Sequence, residues 1–294
     1  VGCALFYPAA SYRTFSIFLL AYFILAGGIT ILQVAANPYV AVLGSEEGAS
    51  SRLNLSQAFN SLGTSIAPIL GASFILSDKV KSKDEIASLG QAAKDTYLSA
   101  EAAAVQSPFI IVTMFIIVLA VVFIRVKLPK MLSAAPKNGY LMLLKNKSLM
   151  LGAFGIFIYV GAEVSIGSYL VNYFYDMKLT SVIKESSMLS SISSTLLGKS
   201  LSGVDDYGIL GSFVTFYWSG AMIGRFIGSY LTNIIKPARV LSFFAIGALA
   251  LIFMSAQTTG LTSMVSILAV GLFNSIMFPT IFSLSLEGLD DLKP

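Results

Sequence analysis

Residues 155–174, GIFIYVGAEVSIGSYLVNYF, are twenty consecutive residues that contain a single charge, Glu163. About 20 mostly apolar residues carry a helix across a hydrocarbon core of roughly 30 Å, so this run, extended to 148–175, reads as a membrane-spanning helix. Working outward, six more stretches qualify, at 14–43, 53–76, 107–126, 208–233, 239–256 and 261–286, with residues 1–10 as the tail of an earlier one. The composition agrees: of 294 residues 56% are hydrophobic and only 12% charged, against about 25% charged in soluble domains. A water-soluble globule and a disordered chain are both excluded, and the predicted class is an all-α integral membrane protein.

Pro38, Pro68 and Pro279 fall inside these runs, where neighbouring helices satisfy the backbone groups that proline frees. The small residues Ala26, Gly27, Gly28, Gly63, Gly71, Gly220, Gly224 and Gly228 recur at spacings that favour close helix packing over ligand contact. Following alternate loops, one face receives Arg52, Arg125, Lys127, Lys130, Lys137, Lys145, Lys147, Arg225, Lys236, Arg239 and Lys293, which is eleven of the nineteen basic residues. That face is predicted to be cytoplasmic. The connections at 77–106 and 177–207, where acids offset the lysines, are then extracytoplasmic loops. The most basic connection, KLPKMLSAAPKNGYLMLLKNK at 127–147, divides the chain into a first bundle (1–126) and a second (148–294). No charged region with a cleavage site precedes the first apolar run, and the chain opens within an apolar stretch and closes on GLDDLKP, the pattern expected of a fragment of a longer membrane protein.

One cysteine and no histidine leave no internal disulfide, no His/Cys metal site and no imidazole base, and EGASSRL at 47–53 is no phosphate-binding loop. No catalytic residues, metal or cofactor are therefore predicted, and an intramembrane enzyme is disfavoured. The net charge of +4 is spread between apolar runs as a topology signal, so no nucleic-acid partner is expected, nor an obligate protein partner. Energy for any transport would come from an ion or substrate gradient.

An ionisable side chain inside a span is costly and marks function by default. Fourteen of the fifteen acids lie in loops or near helix ends, and Glu163 is the exception. It stands about 24 Å along its helix at 1.5 Å per residue. Apart from Arg125 and Arg239 at the very ends of their runs, the only cation within the apolar runs is Arg225, expected near the cytoplasmic end of its own helix, pinning a gate or loop together with Arg52. Without a cationic partner Glu163 would favour its protonated form, as a proton carrier requires; the alternative is a neutral carboxyl that bonds two helices. Gln33 and Asn37, four apart, share a helix face, and Asn54, Gln57, Asn60 and Thr64 form a stripe on the next helix. Amides donate and accept at once, which suits sugar hydroxyls and equally suits bonding between helices. In the second half Asn172, Trp218 and Asn274 are candidates. Asn172 is half a turn out of phase with Glu163, so both line one cavity only if the helix kinks or rotates near Gly167. Trp218, with Tyr217, could stack on a sugar face or anchor at the interface.

The stretch Thr30–Gly63, TILQVAANPYVAVLGSEEGASSRLNLSQAFNSLG, resembles the signature of the fucose-proton symporter family of the major facilitator superfamily, in its glucose/galactose transporter branch. LFYPAA at 5–10, YVGAEVSIGSYLVNYF at 159–174, YWSGAMIGRFIGS at 217–229 and GLFNSIMFPTIFSLSL at 271–286 carry the likeness over nearly the whole chain. The resemblance implies a twelve-helix major facilitator fold in two six-helix bundles, of which this chain would supply the end of helix 3 to helix 10. It implies a multi-pass protein of the inner (cytoplasmic) membrane, a small sugar as substrate, lipid as surroundings, and alternating access. The L-fucose branch carries a proton-coupling Glu where this chain has Gln33, so that role does not transfer. Glu163 is then the expected proton site, with H+ as coupling ion, and Gln33, Asn37, Gln57, Asn60, Asn172, Trp218 and Asn274 the hydroxyl-binding or stacking set. Fucose, an amino sugar, sodium coupling, or a sensor that binds sugar without moving it remain open alternatives.

Overall fold

The computed structural model describes residues 1–75, 86, 88–128, 139–287 and 289, with side chains described except at 67–75 and 139–141. Asp78, Asp84, Glu85, Lys130, Lys137 and Lys293, together with the Pro68 and Gly71 side chains, lie outside what is described. Among the described residues there is no strand. The helices are α1 (Gly2–Ser11), α2 (Phe15–Val42), α3 (Ala49–Ile75), α4 (Gln91–Ala104), α5 (Gln106–Arg125), α6 (Gly139–Lys145), α7 (Lys147–Asp176), α8 (Leu179–Glu185), α9 (Ser187–Leu197), α10 (Asp206–Ile234), α11 (Pro237–Gln257), α12 (Gly260–Asn274) and α13 (Met277–Ser285), with a 3₁₀ turn at Glu46–Gly48.

Five described helical stretches are long and apolar enough to cross a membrane: Phe15–Val42, Gln91–Arg125, Lys147–Asp176, Pro237–Gln257 and Gly260–Ser285. The other two expected spans are continuous helices of 27 and 29 residues, α3 and α10, each about 40 Å long at 1.5 Å per residue. Their lower hydropathy reflects the amides of α3 and the small and polar residues of α10. Large apolar side chains such as Phe15, Phe23, Ile31, Phe157 and Phe253 are exposed, as a lipid-facing surface requires.

Three expectations are corrected. The 77–106 segment is not a loop throughout, because the Ala-rich sequence QAAKDTYLSAEAAA forms α4, which runs almost directly into α5. The 177–207 connection contains α8 and α9, started by Lys178 in a left-handed conformation and ended at Gly198, also left-handed. The expected span 261–286 is broken at Ser275–Ile276 into α12 and α13, and Pro279 sits in the first turn of α13, where its missing N–H is not needed.

Two compact units emerge from the packing: Val1–Pro38 with Ile66–Met131, and Tyr39–Ser65 with Leu132–Pro294. In the first, Phe6 is buried and its ring stacks on Phe109 at 4.0 Å and meets Phe18 edge-on at 5.0 Å. Gly2 lets α1 approach the α2 backbone at Leu25. Gln106 donates to Ser11 Oγ at 2.9 Å, tying α5 to α1.

In the second unit, α10 packs against α12 and α7, α12 against α11, and α13 against α7. The core holds Leu170, Phe174, Leu179, Ile183, Ile209, Leu210, Phe213, Tyr217 and Val270. Gly220, Gly224 and Gly228 form a seam on α10. A methyl at Gly224 would stand 2.8 Å from Ser275 Cβ, and one at Gly228 would strike Ile276, so glycine there permits backbone-level contact with the broken helix. These three are packing positions, as expected. Gly27, Gly28 and Gly63 instead have nothing within 4 Å of where a Cβ would be.

Candidate functional site

The lone intramembrane acid is paired. Glu163 lies on the inward face of α7, in phase with Tyr159, Gly167, Leu170 and Phe174, and its Oε1 is 3.8 Å from Arg225 Nη2 of α10. Both side chains are largely buried, with 16% and 15% of their surface exposed. The expectation of an unpartnered carboxyl is therefore corrected. The expected position of Arg225 is corrected with it: counting along α10 puts its Cα about 14 Å inside the helix end at 1.5 Å per residue, and the side chain turns inward rather than to the surface. Three nitrogens of one guanidinium serve three elements. Nη2 faces Glu163, Nε donates to the Ser275 carbonyl at 3.1 Å, and Nη1 donates to Ser61 Oγ of α3. The Ser275 carbonyl is available because the helix breaks there.

Around this centre Tyr159, one turn before Glu163, is 7% exposed, and its hydroxyl lies beside Glu163 and Arg225 without a hydrogen bond of good geometry. Glu163 Oε1 likewise accepts no hydrogen bond. Asn274, at the end of α12, donates from Nδ2 to the hydroxyl of fully buried Tyr217 at 3.1 Å. Tyr217 and Trp218 meet edge-to-face at 5.1 Å. Trp218 is 42% exposed, and a methyl at Gly167 would stand 2.9 Å from its Cζ2. Gly167 thus makes room for the indole rather than kinking α7, which runs unbroken from Lys147 to Asp176. Asn172 is exposed on the opposite face and is not brought to Glu163.

Toward the end that carries Arg52 and Lys236, α3 is tied to α10 and α13 by short polar side chains. Ser51 Oγ donates to the Ser229 carbonyl at 2.8 Å, Asn54 Nδ2 to Thr280 Oγ1 at 3.1 Å, and the Ser50 and Ser283 hydroxyls bond each other. Asn54 therefore serves as interhelical glue. Arg52 has a defined anchoring role: its guanidinium donates to the carbonyls of Val40 (3.2 Å), Ala41 (2.7 Å) and Ser45 (2.8 Å). It satisfies the last carbonyls of α2, which have no partner within the helix, and complements the negative end of its dipole.

No family model matches the chain. Curated relatives do. The glucose/galactose transporter of Brucella abortus biovar 1 (strain 9-941) is 46% identical, over 98% of this chain and 62% of that protein. A putative glucose/galactose transporter of Helicobacter pylori (strain J99) is 39% identical, over 99% and 63%. The L-fucose-proton symporter of Escherichia coli (strain K12) is 32% identical, over 98% and 63%. The crystal structure of the major facilitator superfamily transporter FucP, in the outward conformation, matches with a TM-score of 0.83 at 30% identity, over 99% of this chain and 67% of that one. The chain belongs to the fucose-proton symporter family of the major facilitator superfamily.

It is a multi-pass inner-membrane protein, and over the shared length it is more similar to the glucose/galactose transporters (46% and 39%) than to the L-fucose-proton symporter (32%). It spans about 62% of the length of the Brucella relatives it matches. Of the family-suggested residues, Gln33 and Asn37 lie on α2 in the first unit, Gln33 exposed and Asn37 half-buried, and α2 continues through Pro38 without a break. Gln57 and Asn60 lie on α3 in the second unit, half-buried and exposed respectively. The residues that sequence reasoning passed over are Ser61, Tyr159 and the Ser275 carbonyl. Ser61 and Tyr159 had a signal in the helical phase they share with Gln57 and Glu163. The carbonyl had none, since it depends on the break in the 261–286 run.

Proposed function

We propose that this chain is the central part of a secondary hexose transporter, glucose- or galactose-like in specificity and coupled to protons, working by alternating access. In this reading residues 1–126 belong to the first bundle, 127–147 form the cytoplasmic connection and 148–294 belong to the second. The observation that carries the reading is a buried carboxylate, Glu163, inside a span of a chain from this family, held by one guanidinium and retaining an oxygen without a hydrogen bond. That oxygen can accept a proton without first breaking a hydrogen bond once water reaches it during the cycle.

Glu163 carries the proton. Asn274 and Trp218 supply a polar and a stacking contact from the second bundle, while Asn172, on the opposite face of an unbroken α7, is left out of the set. Gln33 and Asn37 on α2, and Gln57 and Asn60 on α3, supply amides that donate to and accept from hydroxyls. The names of the relatives support a hexose, and the outward conformation of the FucP structure accords with an α3 end tied to α10 and α13 on the cytoplasmic side.

The test is uptake of labelled glucose and galactose by proteoliposomes of the full gene product, with and without an inward proton gradient. Gradient-driven accumulation is expected, with exchange but no accumulation by Glu163→Gln. Full uphill uptake by that variant would sink the assignment of Glu163, and binding of sugar without any counterflow of label would mark a sensor instead.

A further inference from the structure

From the three-way contact of one guanidinium, we infer that Arg225 is a positioning residue that transmits the charge state of Glu163 to the cytoplasmic tie of α3. The inference rests on the reading of Glu163 as the proton site. Nη2 faces the carboxylate of α7 at 3.8 Å, Nε holds the Ser275 carbonyl at 3.1 Å, and Nη1 holds Ser61 of α3. Two of these partners are neutral oxygens, so the only charge compensating this largely buried cation in the contact is Glu163.

When a proton from the aqueous phase binds a Glu163 oxygen, the carboxylate loses its charge while the guanidinium keeps its own. A buried cation left with neutral acceptors is strongly disfavoured, and the relief open to it is to swing toward water. Leaving Ser61 removes a charged hydrogen bond from α3, and the remaining ties beside it, Ser51–Ser229, Ser50–Ser283 and Asn54–Thr280, join neutral groups. Charge-assisted bonds are about twice as strong as neutral ones, so the loss falls on the strong member of the set. Protonation thus loosens α3 on the cytoplasmic side and favours opening there.

Few charged or ionisable groups face Glu163 from the elements packed around it. On its own helix Tyr159 lies one turn away, and on α10 stand Arg225 and Tyr217. From α13 the residues against α7 are Ile281 and Ser285, and from the α12–α13 break Asn274 and Ser275, none of them charged. The charges of α6 and α8, Lys145, Lys184 and Glu185, belong to helices that meet α7 at its two ends, far along the chain from Glu163.

The experiment uses the full gene product in nanodiscs with spin labels on cysteines introduced by Glu47→Cys and Asn233→Cys, both exposed positions, after Cys3→Ser. Electron–electron distances are measured between about pH 8 and pH 5. In the parent, the ratio of short to long distances is expected to fall at least about threefold with acidification. Glu163→Gln should show the open-shifted ratio at every pH. Ser61→Ala, a mild change that leaves the ion pair in place, should lower the ratio at pH 8 and flatten its pH response. A Glu163→Gln protein that still responds to pH like the parent, or a Ser61→Ala protein indistinguishable from it, overturns the latch. Proteoliposome uptake by the same variants separates the two readings: accumulation retained in Glu163→Gln sinks the proton-site assignment, whereas accumulation lost with an unchanged gate response sinks the latch alone.

Discussion

Replacing Gly271 by alanine tests how the Arg225 centre is held. Gly271 of α12 faces the α10 backbone so closely that an added methyl would stand 2.9 Å from the Tyr217 carbonyl carbon and nearer still to its oxygen. Ordinary contact begins at 3.4 Å, so α12 must retreat from α10 by at least about half an ångström. Neither obstacle is a side chain that can rotate away. The same retreat would stretch the Arg225 Nε to Ser275 bond and the Asn274 to Tyr217 bond, both now 3.1 Å, to about 3.6 Å or more, beyond hydrogen-bond length. A bond to a charged group contributes about 1.5–3 kcal/mol and a neutral one about 1 kcal/mol, while alanine recovers up to about 1 kcal/mol of helix propensity. The expected net loss is about 2 kcal/mol. Unfolding in mixed detergent micelles measures it, with Gly161→Ala and Gly211→Ala as controls, since nothing lies within 4 Å of a Cβ at either position. If Gly271→Ala proves as stable as those controls, the close-contact account of the seam is wrong.

Arg52→Ala removes three bonds to the carbonyls of Val40, Ala41 and Ser45 and should cost about 2 kcal/mol, discounted for its partial exposure; faster proteolysis at the 43–48 turn gives a second readout. A double-mutant cycle of Glu163→Gln and Arg225→Met in detergent unfolding should return a coupling of about 1–3 kcal/mol, and additivity within about 0.5 kcal/mol would mean that the 3.8 Å pair contributes nothing. Tyr159→Phe removes a buried hydroxyl that makes no hydrogen bond of good geometry, so thermal unfolding should shift upward or stay unchanged. A drop equivalent to more than about 1 kcal/mol would show that the hydroxyl is satisfied in the working protein.

The helices were legible because crossing lipid demands length and apolarity together, and both are written locally. The run around Glu163 could hardly be anything else. The helix α4 was missed because a search for apolar spans passes over QAAKDTYLSAEAAA, whose signal is alanine propensity. The break at Ser275–Ile276 lies inside a run that remains apolar on both sides, so hydropathy is blind to it, and Pro279 in a first turn fits a new helix start as well as an interior kink. At the site, polarity marked the right residues and pairing was not legible. Distances counted from helix ends put Glu163 about 24 Å and Arg225 about 14 Å into their helices, a gap that two long side chains close only when the helices pack as α7 and α10 do. The amides divide similarly: Asn54 is spent on Thr280, whereas Asn60, two turns on, is exposed.

Stability alone does not account for the Glu163–Arg225 pair. Taking two charges out of water costs several kcal/mol each, and well-packed apolar residues often replace such pairs without loss. The geometry here is also poor for stability: the ions stand 3.8 Å apart without a hydrogen bond between them, and one carboxylate oxygen is left unsatisfied. A pair selected to hold helices together would be closer and fully bonded. A pair that is made and broken, as the proposed cycle requires, gains from being neither, because a loose contact with few hydrogen bonds has less to break. The same reasoning explains the division of labour on Arg225, whose hydrogen bond to the Ser275 carbonyl orients the guanidinium in the paired state while the contact to Glu163 stays slack. A guanidinium suits that task better than an ammonium, since its planar fork presents separate donors in fixed directions. On this argument Arg225→Lys should preserve much of the fold and still lose the pH response of the gate, because one ammonium cannot reproduce the fixed directions toward α7, Ser275 and Ser61. Retention of a full response by Arg225→Lys would show that charge alone, without the fork, carries the signal.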